Sequence, residues 1–191
     1  MIELDPRRSA LVLIDLQKGI MAQPLAPRPA ADTAASGMAL AARFRAAGAL
    51  VVPVHVGWSA DQADAPRQPV DRPRVSPPGG QPADWSDFTP GLVQPGDLVI
   101  LKRQWGAFHG TELDLQLRRR GIDTLVLGGI ATSFGVESTA RQAWELGYAV
   151  VLVEDACANP SPEAHAHSFE HIFPRIARVT RSDALTFATA A

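Results

Sequence analysis

The chain has one cysteine, Cys157, among its 191 residues, which excludes an internal disulfide and any multi-cysteine metal cluster. No apolar run approaches the roughly 20 residues needed to cross a bilayer. The start, Met1-Ile2-Glu3-Leu4-Asp5, lacks the basic opening of a secretion signal. No membrane span is expected, and the simplest location is the cytoplasm. An excess of one charge is missing as well: 18 basic and 20 acidic residues are interspersed, for a net charge of −2. That balance argues against a nucleic-acid or membrane surface and leaves small molecules as the expected partners. Internal repeats and a second domain are not evident, so residues 1–191 are read as one domain with room for a full core.

Against these absences stands one well-patterned stretch, from Asp123 to Ala156. The apolar run Leu125-Val126-Leu127 leads into Gly128-Gly129-Ile130-Ala131-Thr132-Ser133-Phe134-Gly135. Val136, Ala140 and Ala143 then recur at helical spacing, Gly147 stops the helix, and Tyr148-Ala149-Val150-Val151-Leu152-Val153 forms another apolar run. Strand, turn, helix, strand is a β-α-β unit, which predicts a parallel sheet covered by helices on both faces. In such sheets ligands sit at the strand-to-helix turns of the carboxyl edge, so the turn at 128–135 is where chemistry is expected.

Earlier in the chain, Ser9-Ala10-Leu11-Val12-Leu13-Ile14 reads as the first strand, with Asp15-Leu16-Gln17 at its carboxyl end. A crossover helix follows, with Gly37, Leu40, Phe44 and Ala47 on one face and Gly48 as its stop. Leu50 to Val56 is the second strand, where Pro53 forfeits one ladder bond. Residues 57–96, about 40 in all, dissolve into Pro, Asp, Gly, Arg and Ser, which predicts a lid, binding loop or subunit contact, with a partly disordered excursion as the alternative and Trp58 and Trp85 favouring packing. Asp97-Leu98-Val99-Ile100-Leu101 is the third strand, with Lys102 at the sheet rim and Trp105, Phe108 and His109 just beyond. Thr111-Glu112-Leu113-Asp114 resembles a capping box, and Arg118-Arg119-Arg120 matches helix-end electrostatics rather than a phosphate site. Ser161-Pro162-Glu163 opens a last helix with Phe169, Ile172 and Phe173 as its buried stripe. Ile176 to Val179 is the sixth, edge strand, and the chain from Thr180 onward reads as a peripheral tail.

Four motifs in order carry a resemblance: Leu13-Ile14-Asp15-Leu16-Gln17, Asp97-Leu98-Val99-Ile100-Leu101-Lys102, Gly129-Ile130-Ala131-Thr132 and Thr139-Ala140-Arg141-Gln142-Ala143. From about Ser9 to Asp183 the chain resembles the isochorismatase-like hydrolase superfamily. The resemblance implies a three-layer α/β/α Rossmann-like fold with a mostly parallel six-stranded sheet of order 3-2-1-4-5-6. That order puts the first and fourth strands side by side, so that Asp15 and the 129–135 turn face one crevice.

Cysteine-hydrolase members of the superfamily use an aspartate, a lysine and a cysteine on amides. Asp15 and Lys102 match, and the resemblance makes them the catalytic pair. Gly135 stands at the nucleophile position, and Cys157, past the fifth strand, is expected to be a small buried side chain. The resemblance also implies a cis peptide between Ile130 and Ala131, with the amides of Ala131 and Gly135 as oxyanion donors. Gln17, Trp105, Phe108 and Thr132 are the candidate substrate contacts. Gln17 serves equally well as a support for Asp15, and Trp105, Phe108 and His109 equally as cover for the core edge. His55 is core or pocket, and Glu137 with Arg141 is an ion pair or a subunit contact. Nicotinamidases of this superfamily bind a metal through an acid and histidines after the second strand. Val54-His55-Val56-Gly57-Trp58-Ser59-Ala60-Asp61 lacks that cluster, so no metal and no cofactor are expected. His165, His167 and His171 are expected on or beside an exposed helix face.

True isochorismatases hydrolyse a vinyl ether and include members with glycine at this position and aspartate as proton donor. The expectation is therefore a hydrolase acting on a small, polar, anionic substrate without a covalent cysteine intermediate. Asp15 acts either as an acid, if burial raises its pKa above the opposing influence of Lys102, or as a base that activates water. The alternative is a non-catalytic member that binds a metabolite or assembles with partners. The family leads one to expect a homo-oligomer.

Overall fold

Apolar runs without alternation belong in a sheet covered on both faces, and that is where they lie. The computed structural model describes residues 1–74 and 80–188. The chain opens with β1 (Ile2–Leu4), β2 (Ser9–Ile14), the short α1 (Lys18–Met21), α2 (Ala30–Ala46) and β3 (Leu50–Val56). It continues through β4 (Ile100–Lys102), α3 (Leu113–Arg119), β5 (Thr124–Ile130), α4 (Glu137–Glu145) and β6 (Ala149–Ala158). The last elements are α5 (Pro162–His167), α6 (Phe173–Ile176), β7 (Arg178–Thr180) and β8 (Leu185–Phe187). Six strands form a parallel sheet in the order β4-β3-β2-β5-β6-β7. Counted from Ser9, this is the expected 3-2-1-4-5-6.

The period-2 geometry of β2 divides the core. Ala10, Val12 and Ile14 join Leu113, Leu117, Ala140, Ala143 and Phe173 on one face of the sheet. Leu11 and Leu13 join Leu40, Ala41 and Phe44 of α2 on the other. A Cβ added at Gly37 would lie 2.7 Å from Leu16 Cδ1, so glycine at that position lets α2 approach the sheet closely. Connections from β2 run outward through β3 to β4, and the chain then returns to place β5 on the other side of β2. This reversal makes the carboxyl ends of β2 and β5 the topological switch point, the place where α/β sheets of this kind hold ligands.

Several local expectations are corrected. The third predicted strand starts later, at Ile100, because the Asp97 carboxylate is held by Arg45 at 2.7 and 3.0 Å and caps the Gln94 amide at 2.9 Å. Lys102 is thereby the last strand residue, turned inward by the buried, exposed, buried alternation of β4. Pro53 leaves β3 regular: Val51 O accepts from Leu98 N on the β4 side, and Pro53, two residues on, faces that side before β4 begins. Thr111 Oγ1 accepts from Leu113 N, whereas the Asp114 side chain binds Arg118 and Tyr148, so no capping box closes.

The stretch from Thr180, expected as a peripheral tail, holds one more strand outside the main sheet. β8 pairs in parallel with β1 as a second, two-stranded sheet, and Phe187 meets Phe44 edge-on at 4.9 Å. Three-residue strands carry too little periodicity to be read from sequence. The long 57–96 segment is anchored on its described parts. Trp85 O accepts from Gly19 N, Asp87 O from Lys18 N and Leu16 O from Thr89 N, all at 2.9–3.0 Å, which draws residues 85–89 across the end of β2.

Candidate functional site

Where β2 ends, the backbone turns sharply. Asp15 has φ +52, a left-handed conformation that aspartate tolerates better than most residues, and its amide is tied to Val54 O at 2.8 Å. Beside it β5 comes unusually close. A Cβ at Gly129, φ +124, would sit 2.1 Å from Ile14 O, so only glycine fits.

From β4 the Lys102 side chain reaches across the end of β3 and donates to Asp15 Oδ2 at 2.7 Å and to Gln104 O at 3.1 Å. Both partners are sequestered: the side chains are 1% and 7% exposed. Asp15 Oδ1 is buried with no hydrogen-bond partner among the described residues. Burial pushes the Asp15 carboxyl up to about 6, against the opposing pull of the Lys102 charge and hydrogen bond. Desolvation therefore outweighs the neighbouring cation.

The turn after β5 completes the centre. The Ile130–Ala131 peptide is cis, and Thr132–Val136 forms a single π turn leading into α4. A Cβ at Gly135 would lie 3.3 Å from Asp15 Oδ2, 2.9 Å from Ile14 Cγ2 and 3.5 Å from Trp105 O. A side chain there would thus point at the carboxylate, and as the chain stands the Asp15 carboxyl is the titratable group next to the turn. The Ala131 carbonyl accepts the amides of Phe134 and Val136 at 3.1 and 3.2 Å. Thr139 Oγ1 joins the parts, donating to Gly135 O at 2.7 Å and accepting Ala107 N at 3.2 Å, while Gln142 Oε1 accepts Phe108 N at 3.3 Å. The Thr139–Ala143 motif therefore fastens both the turn and the loop after Lys102.

The remaining candidates divide. Trp105, a residue 61% exposed, is brought to the site with its ring 4.8 Å from that of Phe134, which is itself 43% exposed. Phe134 escaped the sequence reading although it lies within the turn. Phe108 is instead buried in the core against Tyr148, at 5.7 Å, and does not wall the site. Gln17 is fully buried, and its amide bridges Val56 N, Val56 O and Trp85 O at 2.8–3.3 Å, so it braces the strand ends rather than facing a substrate. Thr132 is fully buried too, with its hydroxyl between Ala158 O and His165 Nδ1. His55 is held by Ser86 and stacks on Phe88 at 4.5 Å. Glu137 and Arg141 form an ion pair at 2.9 Å, and Cys157 is buried with its thiol pushed up to about 12 by desolvation. Of the three late histidines, His167 and His171 are exposed, but His165 is buried, contrary to expectation. A cleft of about 450 Å³ lies at the opposite, amino-terminal rim, lined by Leu4, Ser9, Thr124, Tyr148 and Val150 among others, far from Asp15.

Residues 9–184 match the isochorismatase domain. The chain belongs to the isochorismatase family. Among its relatives, the isochorismatase family protein YecD of Escherichia coli O157:H7 is 54% identical over 180 residues, covering 94% of this chain and 95% of the relative. YwoC of Bacillus subtilis (strain 168), of the same family, is 46% identical over 178 residues, covering 93% and 92%. An isochorismatase family protein from Burkholderia thailandensis superposes with a TM-score of 0.91 at 45% identity, covering 96% of this chain and 95% of that one. The isochorismatase fold thus presents Asp15, Lys102 and Gly135 together at the switch point of the sheet. No helix among the described residues is long and apolar enough to cross a membrane.

Proposed function

We propose that this isochorismatase family member hydrolyses the vinyl ether of a small, polar, anionic substrate, with Asp15 as the acid and no covalent intermediate. The observation that carries this reading is a buried carboxyl, raised to about 6, whose Oδ1 has no partner while Oδ2 is held by Lys102. A group with that value keeps its proton in roughly one molecule in ten at neutral pH, enough for general acid catalysis. Oδ1 is the atom free to deliver it.

The steps balance without a nucleophilic side chain. The proton passes from Oδ1 to the terminal carbon of the enol ether, and the ether oxygen stabilises the resulting oxocarbenium ion. Water adds to that ion and returns a proton to Asp15, and the hemiketal collapses to a ketone and an alcohol. Lys102 faces the charge that develops on Asp15 as the proton leaves, a preorganised stabilisation in a water-poor site. While Asp15 is protonated the buried pair carries one net positive charge, which favours an anionic substrate. The exposed rings of Trp105 and Phe134 supply an apolar wall.

Hydrolysis of isochorismate by the wild type beside Asp15→Ala, with nicotinamide as an amide control, tests the assignment. Turnover that disappears in Asp15→Ala is expected. A folded wild type that turns over neither compound would overturn it, and tight binding of isochorismate without turnover would favour the non-catalytic, metabolite-binding alternative. Assembly as a homo-oligomer in the cytoplasm belongs to the same proposal and is checked by sedimentation of the purified chain and by fractionation of cells.

A further inference from the structure

Behind the turn that carries Gly135 stands a buried histidine that the proposed reaction does not use. His165, on α5, places Nδ1 2.8 Å from Thr132 Oγ1, and that hydroxyl is also 3.1 Å from Ala158 O. The carbonyl can only accept, and the hydroxyl has a single proton to give. If Thr132 donates to Ala158 O, His165 Nδ1 must carry a proton and donate to Thr132. If Nδ1 is unprotonated, Thr132 must turn its proton to the ring and release the carbonyl.

The far side of the ring decides which case holds. His165 Nε2 is 3.5 Å from Glu154 Oε1 and has no hydrogen-bond partner among the described residues. A bare Nε2 lone pair facing a carboxylate is unfavourable, so the neutral ring carries its proton on Nε2 and accepts from Thr132 at Nδ1. The imidazolium carries protons on both nitrogens, donates to Thr132, and so drives the Thr132 hydroxyl onto Ala158 O at the end of β6.

We propose that His165 is a positioning residue whose protonation sets the direction of the Thr132 hydroxyl bond and so ties the Thr132–Val136 turn, with Gly135, against Asp15. This role rests on Asp15 acting as the acid proposed above. The charged groups around the ring come from several elements. Glu154 of β6 faces Nε2 and is itself held by Arg28, ahead of α2, at 2.8 Å and by Arg181, after β7, at 2.7 Å. Thr132 and the Phe169 ring, 4.7 Å away, are neutral. Glu137 of α4 is taken up by Arg141 and Ser168, and Glu163 and His167, on α5 with His165, are exposed. Burial lowers the His165 pKa from 6.5, with Glu154 opposing and Arg28 assisting. Burial thus moves the two groups in opposite directions, Asp15 up from 3.8 and His165 down from 6.5, and the turn is tied while His165 holds its proton.

Nitrogen-15 NMR of histidine-labelled protein as a function of pH, on wild type, Thr132→Val and Thr132→Ser, tests the relay without any substrate. The neutral ring is expected to be the Nε2–H tautomer. Removing the hydroxyl in Thr132→Val strands the Nδ1–H of the imidazolium and lowers the His165 pKa, while Thr132→Ser keeps it near the wild-type value. An Nδ1–H neutral tautomer, or a pKa unmoved by Thr132→Val, would overturn the proposal even if Asp15 proves to be the acid. With isochorismate as substrate, the loss of kcat with rising pH should follow two protons in wild type and one in His165→Gln, at unchanged KM. A two-proton fall retained in His165→Gln would also overturn it. Loss of all activity dependence on Asp15, with the NMR titration intact, would instead count against the proposed reaction.

Discussion

Lys102 binds one oxygen of Asp15 and leaves the other bare: Nζ lies 2.7 Å from Oδ2, while Oδ1 is buried with no partner among the described residues. This asymmetry gives the carboxyl one anchored oxygen and one available oxygen. Replacing Lys102 with Met should remove the influence that lowers the Asp15 pKa and leave burial unopposed. The alkaline limb of the pH profile of isochorismate hydrolysis is then expected to move upward from about 6, with kcat lowered. A limb that stays in place would separate Asp15 from the titration.

The same carboxyl makes stability depend on pH. Its folded pKa, about 6, exceeds its ordinary value of 3.8, so its contribution is fully present below about 3.8 and is lost as pH rises through about 6. The loss is on the order of 3 kcal/mol between pH 4 and 7. His165 acts in the opposite sense, since its lowered pKa removes stability as pH falls below 6.5. Urea unfolding at several pH values should show the stability of wild type relative to Asp15→Asn falling across that range.

Gly135 has no room for a side chain without movement of Ile14. A Cβ there would lie 2.9 Å from the Ile14 Cγ2 methyl, which is branched and held in the core. Gly135→Ala is expected to destabilise the fold by about 1–3 kcal/mol, read as a lower urea midpoint. Gly135→Cys should carry the same cost and, with its sulfur beside Asp15, lose vinyl-ether hydrolysis.

Trp105 and Phe134 meet at 4.8 Å while remaining largely exposed, so their contact contributes little to folding. Phe134→Ala should leave the melting temperature nearly unchanged. If the pair walls the substrate, losing an aromatic contact of about 1 kcal/mol raises KM roughly fivefold with a smaller effect on kcat. An unchanged KM would remove the pair from the binding surface.

The gathering of Asp15, Lys102 and Gly135 was legible because each sits at a strand end or in the turn that follows one. Asp15 follows β2, Lys102 closes β4 and Gly135 lies in the turn after β5, and strand ends can be read from apolar runs. Gln17 and Phe108 also lie shortly after these ends, yet Phe108 entered the core and Gln17 bridges backbone groups. Which way a side chain near a strand end turns depends on neighbours far along the chain. Trp85 O, which Gln17 binds, is 68 residues away. The β1–β8 pair and the Arg45–Asp97 contact were invisible for the same reason.

By itself the sequence determined the parallel sheet, its order through the family resemblance, and the rim where Asp15, Lys102 and the turn gather, since unbroken apolar strands are stable only when both faces are covered. Only the tertiary structure decided what the site can do with a proton. The state of Asp15 is a balance between desolvation and one ammonium at 2.7 Å, and the hydroxyl of Thr132 meets a histidine 33 residues away. Both depend on distances across the fold, because burial and charge act through space and not along the chain.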